Sequence, residues 1–359
     1  MNGEYITIAD ACRMLDISRP TFDSYRRKHL LKDFTIKGRV YFRIVDIIEK
    51  LYVGKPLSEP DLRFTAADSF CVEDVEVVPD VFDIRRVCVV DPFGAICLLC
   101  CLMGRIMAGR HIYLLVNRGT ASFELKKMNF FHELTRVRSE FVHYDEAVFD
   151  GVYCDQAEII IPLHVIGYRG AEKGILDDIY GKLRKQGFSE ELCASLGWTL
   201  GELADNTATH AGGVPCYFML SSSTDLGPCK FLALTIGDIG DGIPATLRSS
   251  SEYRDLSRSK AFVSAFKSDV SSWGSAHKRG RGLNDLLSIA KGNGAWVRAE
   301  SNGQGLFFDF RNSSESISAR KTGTREHGSR FSMVLIDSEF EYVSRKAVDS
   351  VLNDYLEQL

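Results

Sequence analysis

The chain has 359 residues, of which 45% are hydrophobic and 26% charged, which suits two or three domains that each bury a core. A net charge of −4 excludes a uniformly basic nucleic-acid-binding protein, and the most apolar run, Ala95–Met107, is too short to span a bilayer. Ten cysteines behind a polar N-terminus without a signal-peptide pattern predict a cytoplasmic protein with reduced thiols and no membrane contact.

Residues 1–55 show a helix, a turn, a second helix, a hairpin and a third helix. Ser18 is placed to cap the second helix, and Pro20 suits its first turn. The predicted elements are a helix ending near Leu15, a helix at about Arg19–His29, a strand pair at Lys37–Arg43 turning at Gly38, and a helix at Ile44–Leu51.

This arrangement resembles the MerR/excisionase type of winged helix-turn-helix. Eleven Lys and Arg against seven Asp and Glu in residues 1–55 agree with a local basic surface. The resemblance implies that the second helix enters the major groove and that the hairpin grips the backbone, with a homodimer supplying paired helices. The implied DNA-contacting residues are Arg19, Thr21, Ser24, Arg26, Arg27, Lys28, Lys37, Arg39 and Arg43. The alternative is a small helical module that binds a protein partner.

Residues 56–81 carry seven acidic residues and one basic residue, Arg63, and are punctuated by Pro56, Pro60 and Pro79. This composition predicts an acidic linker, with room for a short strand at Cys71–Val78.

Residues 82–175 alternate between strand and helix patterns. Arg86–Val90, a helix at Ala95–Ala108 and a strand at His111–Val116 predict a parallel strand pair with a right-handed crossover. A helix at Phe123–Leu134 and a buried strand at Glu158–Pro162 follow. The Asp-Pro-Phe-Gly turn ahead of the first helix resembles STAS-like domains.

Two local motifs in this region have simpler explanations. Cys97, Cys100 and Cys101 lack a second cysteine or histidine pair to complete a metal site, so buried side chains on an apolar helix are favoured. The run Phe131-His132-Glu133-Leu134 is similar to the start of a histidine-kinase phosphoacceptor box. No second long amphipathic helix follows it, which favours an ordinary surface histidine.

Four segments of the C-terminal half have a telling order. A helix capped by Ser189 carries Glu202, Asn206 and His210 at i, i+4 and i+8, on one face. The alternating strand Phe231–Gly237 leads to Asp238-Ile-Gly240-Asp-Gly242. Gly280-Arg-Gly282 opens a helix at Leu283–Ala290, a hairpin follows around Asn302–Gly305, and Gly328-Ser-Arg-Phe331 comes last.

The order and spacing of these segments resemble the N, G1, G2 and G3 boxes of the GHKL ATPases, over about residues 176–340. The resemblance implies an α/β sandwich of the Bergerat type, making the chain a multi-domain α/β protein with a C-terminal helix at 341–359. It implies ATP as ligand with Mg²⁺ on Asn206, and Glu202 as the base that activates water. It also implies that Asp238 reads the adenine amine, supported by the Ser329 hydroxyl, and that Gly240 and Gly242 use positive φ. The remaining residues implied to bind the nucleotide are His210, Lys278, Arg279, Gly280, Arg281 and Gly282.

The segment between Ile243 and Gly280 stands where the family has its ATP lid. No downstream domain supplies the lysine that some members bring to the γ-phosphate, which puts fast hydrolysis in doubt. We therefore expect a bacterial regulator whose DNA or partner binding follows ATP occupancy. The alternatives are a GHKL-type protein kinase of anti-sigma or histidine-kinase type, and an ATPase switch of a defence system.

Overall fold

The computed structural model describes fourteen stretches of the chain. They are residues 5–15, 17–28, 31–47, 61–154, 158–166, 172–197, 200–201, 214–223, 231–271, 282–311, 315–320, 322–323, 327–336 and 343–359. Within them the protein is a mixed α/β structure. No helix of these stretches is long and apolar enough to cross a membrane.

The N-terminal unit is a three-stranded antiparallel sheet with helices, in the strand order β1-β3-β2. Its elements are β1 (Tyr5–Thr7), α1 (Ile8–Leu15), α2 (Arg19–Arg27), β2 (Asp33–Ile36), β3 (Arg39–Arg43) and α3 (Ile44–Ile47). The Ser18 side chain accepts a hydrogen bond from the Thr21 amide and caps α2, as predicted. Lys37 and Gly38 turn the β2–β3 hairpin with φ values of 50° and 77°.

The core of this unit continues into the next part of the chain. Phe22 of α2 and Phe42 of β3 meet edge to face with ring centroids 5.0 Å apart. The same buried cluster includes Val81, Tyr113 and Leu115 from the central region. The described residues of the 5–47 segment are thus docked on their neighbour, because part of their apolar surface is buried there.

The central region holds a four-stranded sheet and a separate parallel strand pair. Its elements are β4 (Leu62–Phe64), β5 (Glu76–Val78), β6 (Val81–Asp83), β7 (Val87–Val90), α4 (Pro92–Met107), β8 (Ile112–Leu115), α5 (Thr120–Lys127), α6 (Phe130–Thr135) and β9 (Val142–His143). The sheet order is β5-β6-β8-β9, and β4 pairs with β7. Strands β6, β8 and β9 run parallel, with α4 on the connection from β6 to β8.

Three expectations for this region are wrong. Residues 61–81 are not linker, because Phe64, Val72 and Val75 are buried in the central core. The strands expected to pair, β7 and β8, lie in different sheets, since a 3-10 turn at Ile84–Arg86 separates β6 from β7.

The third concerns the helix expected over Phe123–Leu134, which is two helices. Asn129 breaks it with a left-handed backbone, φ 69°. The Asn129 side-chain amide donates to the Leu163 carbonyl at 3.2 Å, so the break is held by a contact that is distant in sequence.

The largest sheet has seven strands, and every neighbouring pair is antiparallel. Its strands are β10 (Ile159–Ile166), β11 (Cys216–Ser223), β12 (Phe231–Asp238), β13 (Trp296–Ser301), β14 (Gln304–Asp309), β15 (Ser316–Arg320) and β16 (Ser329–Ile336). Their order is β10-β11-β12-β16-β13-β14-β15. The strand at Glu158–Pro162, assigned from sequence to the central domain, is therefore an edge of this sheet.

Helices cover one face of this sheet, here called the front face. They are α7 (Glu172–Lys185), α8 (190–197, with 200–201 also helical), α9 (Ile243–Arg248), α10 (Arg258–Ser264), α11 (Gly282–Gly292) and α12 (Arg345–Leu356). Leu192, Leu196 and Leu200, predicted from their helical spacing, are buried there. The alternation of β12 sends Leu232, Leu234 and Ile236 into the same core.

The opposite face, here called the rear face, packs against the central region. Helix α4 lies across β12, with further contacts to β11 and β16. Tyr217 and Met219 of β11 belong to the central cluster, whereas Phe218 and Leu220 belong to the front-face cluster. The strands β11, β12 and β16 are consequently covered on both faces of the sheet.

Candidate functional site

Asp238 lies at the end of β12, at the edge of the front-face core, and is 8% exposed. Its Oδ1 accepts hydrogen bonds from the amides of Gly240, at 2.8 Å, and Ser329, at 3.3 Å. No group of the described residues donates to Oδ2. Burial raises the pKa of Asp238, while the Gly240 amide, the nearby Arg330 guanidinium and the Ser329 amide oppose that shift. Among the residues that the structure describes, one carboxylate oxygen is thus fixed by amides and the other receives no donor.

The loop after Asp238 is held close to the G3 segment. Gly242 has φ 81° and Gly328 has φ 101°, both in the left-handed region. A Cβ at Gly328 would collide with the Asp238 carbonyl, and one at Gly242 would collide with the side chain of Asn302. Glycine is therefore required at both positions. Gly240 was also expected to use a positive φ, which is wrong, since its role is the amide that it donates to Asp238.

Ser301 connects these segments, and the sequence did not single it out. Its Oγ accepts from the Ile243 amide at 2.9 Å and donates to the Gly328 carbonyl at 3.0 Å. The Ser329 Oγ lies 3.1 Å from the Ser301 Oγ. The Ser329 hydroxyl was expected to support Asp238, but the backbone amide does so, and the hydroxyl instead bonds to Ser301.

Gly282 is the first residue of α11 and is buried. This helix begins where the phosphate-binding glycines were expected, and the amides of a helix N-terminus favour anions. Lys278, Arg279, Gly280 and Arg281 lie outside the described residues.

The segment expected to hold Mg²⁺ and the catalytic base also lies outside the described residues. It contains Glu202, Asn206 and His210. The described helix leading to it begins as predicted, since the Ser189 hydroxyl accepts from the Leu192 amide at 3.3 Å. Within the described part of the chain, no three His, Cys, Asp or Glu side chains are grouped as a metal site.

Behind the site, on the rear face, lies a layer of buried charge. Arg298 donates to Glu300 from Nε at 3.1 Å and from Nη2 at 2.7 Å, and both residues are 0% exposed. Glu300 also accepts from the Gly323 amide. Arg330, which pairs with Gly237 in the sheet, donates to the His327 carbonyl at 2.7 Å. The alternation of β13 and β16 places these side chains on the face opposite the apolar front face. These buried charges were not predicted from the sequence.

Cys97 and Cys100 of α4 lie close to these buried charges. Cys97, Cys100 and Cys101 are completely buried, in agreement with the structural interpretation of these residues. Burial raises the pKa of the Cys100 thiol to about 11, with Arg330 opposing the shift. The pKa of the Cys97 thiol is raised by the same cause, so Cys97 and Cys100 are neutral and unreactive. His132 is exposed on the short helix α6, as expected for a surface histidine.

The residues expected to contact DNA lie on α2 and on the β2–β3 hairpin, where Lys28, Lys37, Arg39 and Arg43 are exposed. Thr21 is exposed and Ser24 half-buried. Two of the arginines are engaged locally, since Arg19 pairs with Asp23 at 3.1 Å and Arg26 pairs with Asp33 of β2. Arg27 is exposed and donates from Nε to the Asp23 carbonyl.

A cavity of about 470 Å³ lies at the rear face, away from Asp238. It is bounded by Met128, Met219, Trp296 and the carboxylate of Asp91. Both Asp91 oxygens are already engaged, by the amides of Gly94 and Ala66, each at 2.8 Å. Its carboxylate therefore serves the N-terminus of α4.

Comparison with known proteins gives slight likenesses. No family model matches the chain, and no curated protein matches it. Among solved structures, the topoisomerase IV ATP-binding domain of Francisella tularensis, in complex with a small-molecule inhibitor, is similar at 13% identity and a TM-score of 0.21. That match covers 55% of this chain and 87% of the other. The N-terminal domain of a DNA repair protein is similar at 16% identity and a TM-score of 0.15, over 35% of this chain and 34% of the other.

Proposed function

We propose that the front face of the seven-stranded sheet binds ATP and that Asp238 reads its base. The observation that carries this proposal is that the two carboxylate oxygens of Asp238 have different surroundings. Two backbone amides hold Oδ1, and within the described residues Oδ2 has no donor. The exocyclic amine of adenine supplies a donor, whereas guanine presents a carbonyl oxygen at the same position of the ring. A buried acceptor left for a donor therefore favours adenine.

The backbone around Asp238 is closely packed, which would hold the carboxylate in a fixed place for its ligand. Gly242 and Gly328 have no side chain between the loop and the strand ends, and Ser301 fixes the spacing between them. The triphosphate would extend toward the start of α11 at Gly282, where helix amides and the lysine and arginines of residues 278–281 favour negative charge.

Mg²⁺ would supply neutralisation of the triphosphate, and Asn206 is the residue expected to hold it. Glu202, one helical turn earlier in the sequence, is expected to orient or deprotonate a water for slow hydrolysis. Transfer to a partner protein would instead identify a kinase of the GHKL type.

The proposal is tested by nucleotide binding and turnover with the full chain. We expect calorimetry to detect ATP binding in the presence of Mg²⁺ and Asp238→Ala to abolish it. Asp241→Ala is the matched control, since this exposed carboxylate lies in the same loop. Equal ATP affinity in wild type and in folded Asp238→Ala would refute the assignment.

We further propose that ATP occupancy controls contacts made by the N-terminal unit, with DNA as its first partner and two copies of the chain supplying two α2 helices. Exposed Lys28, Lys37, Arg39 and Arg43 on one helix and its adjoining hairpin support this. The full chain is the right material, because Val81 and Tyr113 complete the core of this unit.

The DNA proposal is tested by titrating labelled genomic fragments at two salt concentrations, with and without ATP. Replacing Lys28, Lys37 and Arg39 together with Gln should weaken binding to all sequences and reduce the salt slope by ~0.9 per lost phosphate contact. No retained fragment at low salt, under either condition, would leave a protein partner as the role of this unit.

A further inference from the structure

The C-terminal helix α12 is packed against the start of α11. Val348 and Leu352 are each 1% exposed and belong to the front-face core. The sequence predicted a C-terminal helix at 341–359 and assigned no residue of it to the site. In the structure, two of its side chains, Arg345 and Asp349, reach the first turn of α11.

Asp349 joins two separate segments. Its Oδ1 accepts from the Ser268 amide at 2.8 Å and from the Asn284 side-chain amide at 3.1 Å. Its Oδ2 accepts from the Ser268 hydroxyl. Asn284, the third residue of α11 and 0% exposed, also donates to the Phe266 carbonyl at 2.8 Å. These hydrogen bonds fix the position of the α11 N-terminus relative to residues 266–268, which follow α10.

Arg345 forms a salt bridge with a carboxylate in the first turn of α11. It donates to both carboxylate oxygens of Asp285, from Nε at 2.8 Å and from Nη2 at 3.1 Å. Asp285 lies in the first turn of α11 and is 4% exposed. A carboxylate there opposes an approaching phosphate, and a bidentate guanidinium cancels that charge.

We propose that α12 is a positioning element of the nucleotide site, in which Asp349 holds the first turn of α11 and Arg345 neutralises Asp285. The helix then sets affinity for the phosphate tail and leaves affinity for the base unchanged. This inference rests on the proposed nucleotide function. Arg345 and Asp349 are positioning residues, because each acts through a residue of α11.

The test compares ATP with adenosine, which shares the base and lacks the phosphates, on the full chain with Mg²⁺. Arg345→Gln should lower ATP affinity by roughly 5- to 150-fold, the usual range for coupling between two sites. Its adenosine affinity should equal that of wild type. Asp349→Asn should shift the same ratio in the same direction, and Arg345→Lys should recover part of the loss. Asp354→Asn, an exposed position on the same helix, should change neither affinity.

A second variant separates charge from folding. Adding Asp285→Asn to Arg345→Gln removes the carboxylate that Arg345 neutralises, so ATP affinity should recover toward wild type. Equal losses of ATP and adenosine, an unchanged ratio, or no recovery in the double variant would each overturn the role of α12. Wild-type protein that binds neither ligand would refute the nucleotide assignment itself.

Discussion

At the scale of single residues, the Asp238 carboxylate holds its loop through Oδ1 and, in our proposal, contacts the base through Oδ2. The Gly240 and Ser329 amides require an acceptor at Oδ1, so an Asn at this position would turn its oxygen toward them and its amide nitrogen toward the ligand. Two donors would then face each other where the adenine amine is expected.

Asp238→Asn should therefore lose adenine preference while keeping the loop intact. Loss of a hydrogen bond to a charged group costs ~1.5–3 kcal/mol, which is roughly 10- to 150-fold in affinity. Competition between ATP and GTP measures the effect, because the new donor suits the guanine oxygen. A wild-type ATP-to-GTP ratio in this variant would contradict the proposed contact.

The raised pKa of Asp238 also gives stability a pH dependence. The folded state binds the carboxyl proton of Asp238 more tightly than the unfolded state does. Protonated Asp238 therefore contributes most to the free energy of unfolding below the ordinary carboxyl pKa, and this contribution is lost as pH rises through the raised pKa. Asp238→Asn should therefore be more stable than wild type at pH 7, with a smaller difference at pH 4. Urea unfolding at both pH values measures it, and a difference that grows on acidification would contradict the assignment.

Arg298 and Glu300 form a salt bridge in which both side chains are completely buried. Glu300→Gln should destabilise the protein by ~3–5 kcal/mol, because it removes the buried negative charge that Nε and Nη2 of Arg298 contact. The double variant Arg298→Met with Glu300→Gln should recover much of the lost free energy of unfolding. Urea unfolding of the single and double variants checks this, and additive losses would contradict it.

At the scale of elements, the contact between α4 and β12 depends on Gly237. A Cβ there would lie 2.5 Å from Ile96 Cγ2 and 3.3 Å from Cys100 Sγ. The central region and the sheet can approach this closely because that strand position has no side chain.

Gly237→Ala should displace α4 or β12 and cost ~1–3 kcal/mol, the usual penalty for overpacking. Nucleotide affinity should fall as well, since Asp238 is the next residue. Gly181→Ala is the matched control, because a Cβ at this α7 position meets nothing within 4 Å. It should be neutral or stabilising by ~0.5–1 kcal/mol in a melting experiment. Equal melting temperatures for the two variants would show that α4 accommodates the methyl group.

At the scale of the whole molecule, the sheet joins the proposed nucleotide site to the rest of the chain. Strand β12 carries Asp238 at one end and contacts α4 along its rear face. The central region in turn completes the core of the N-terminal unit through Val81 and Tyr113. The end of β12 that carries Asp238 is therefore connected to residues 5–47 through packed elements.

ATP should slow hydrogen exchange in α4 as well as in β12. A ligand at 100 times its Kd adds ~2.7 kcal/mol to the stability of every segment that unfolds together with its site. Exchange measured by mass spectrometry on wild type, with Asp238→Ala plus ATP as the control, tests this. Protection confined to β11, β12 and β16 would show that the central region unfolds independently.

Features governed by neighbours in the chain were readable from the sequence. Caps at Ser18 and Ser189 and the alternation of β12 depend on local geometry, so they were predicted at the right residues. Of the two glycines expected to use positive φ after Asp238, only Gly242 does so. What only the tertiary structure decided are pairings between distant segments. They place β10 in the seven-stranded sheet, Ser301 beside Gly328, and Asp349 between Ser268 and Asn284. The alternation of apolar and polar residues indicates that one face of a strand is buried. Which segment packs on that face depends on the tertiary structure of the whole chain.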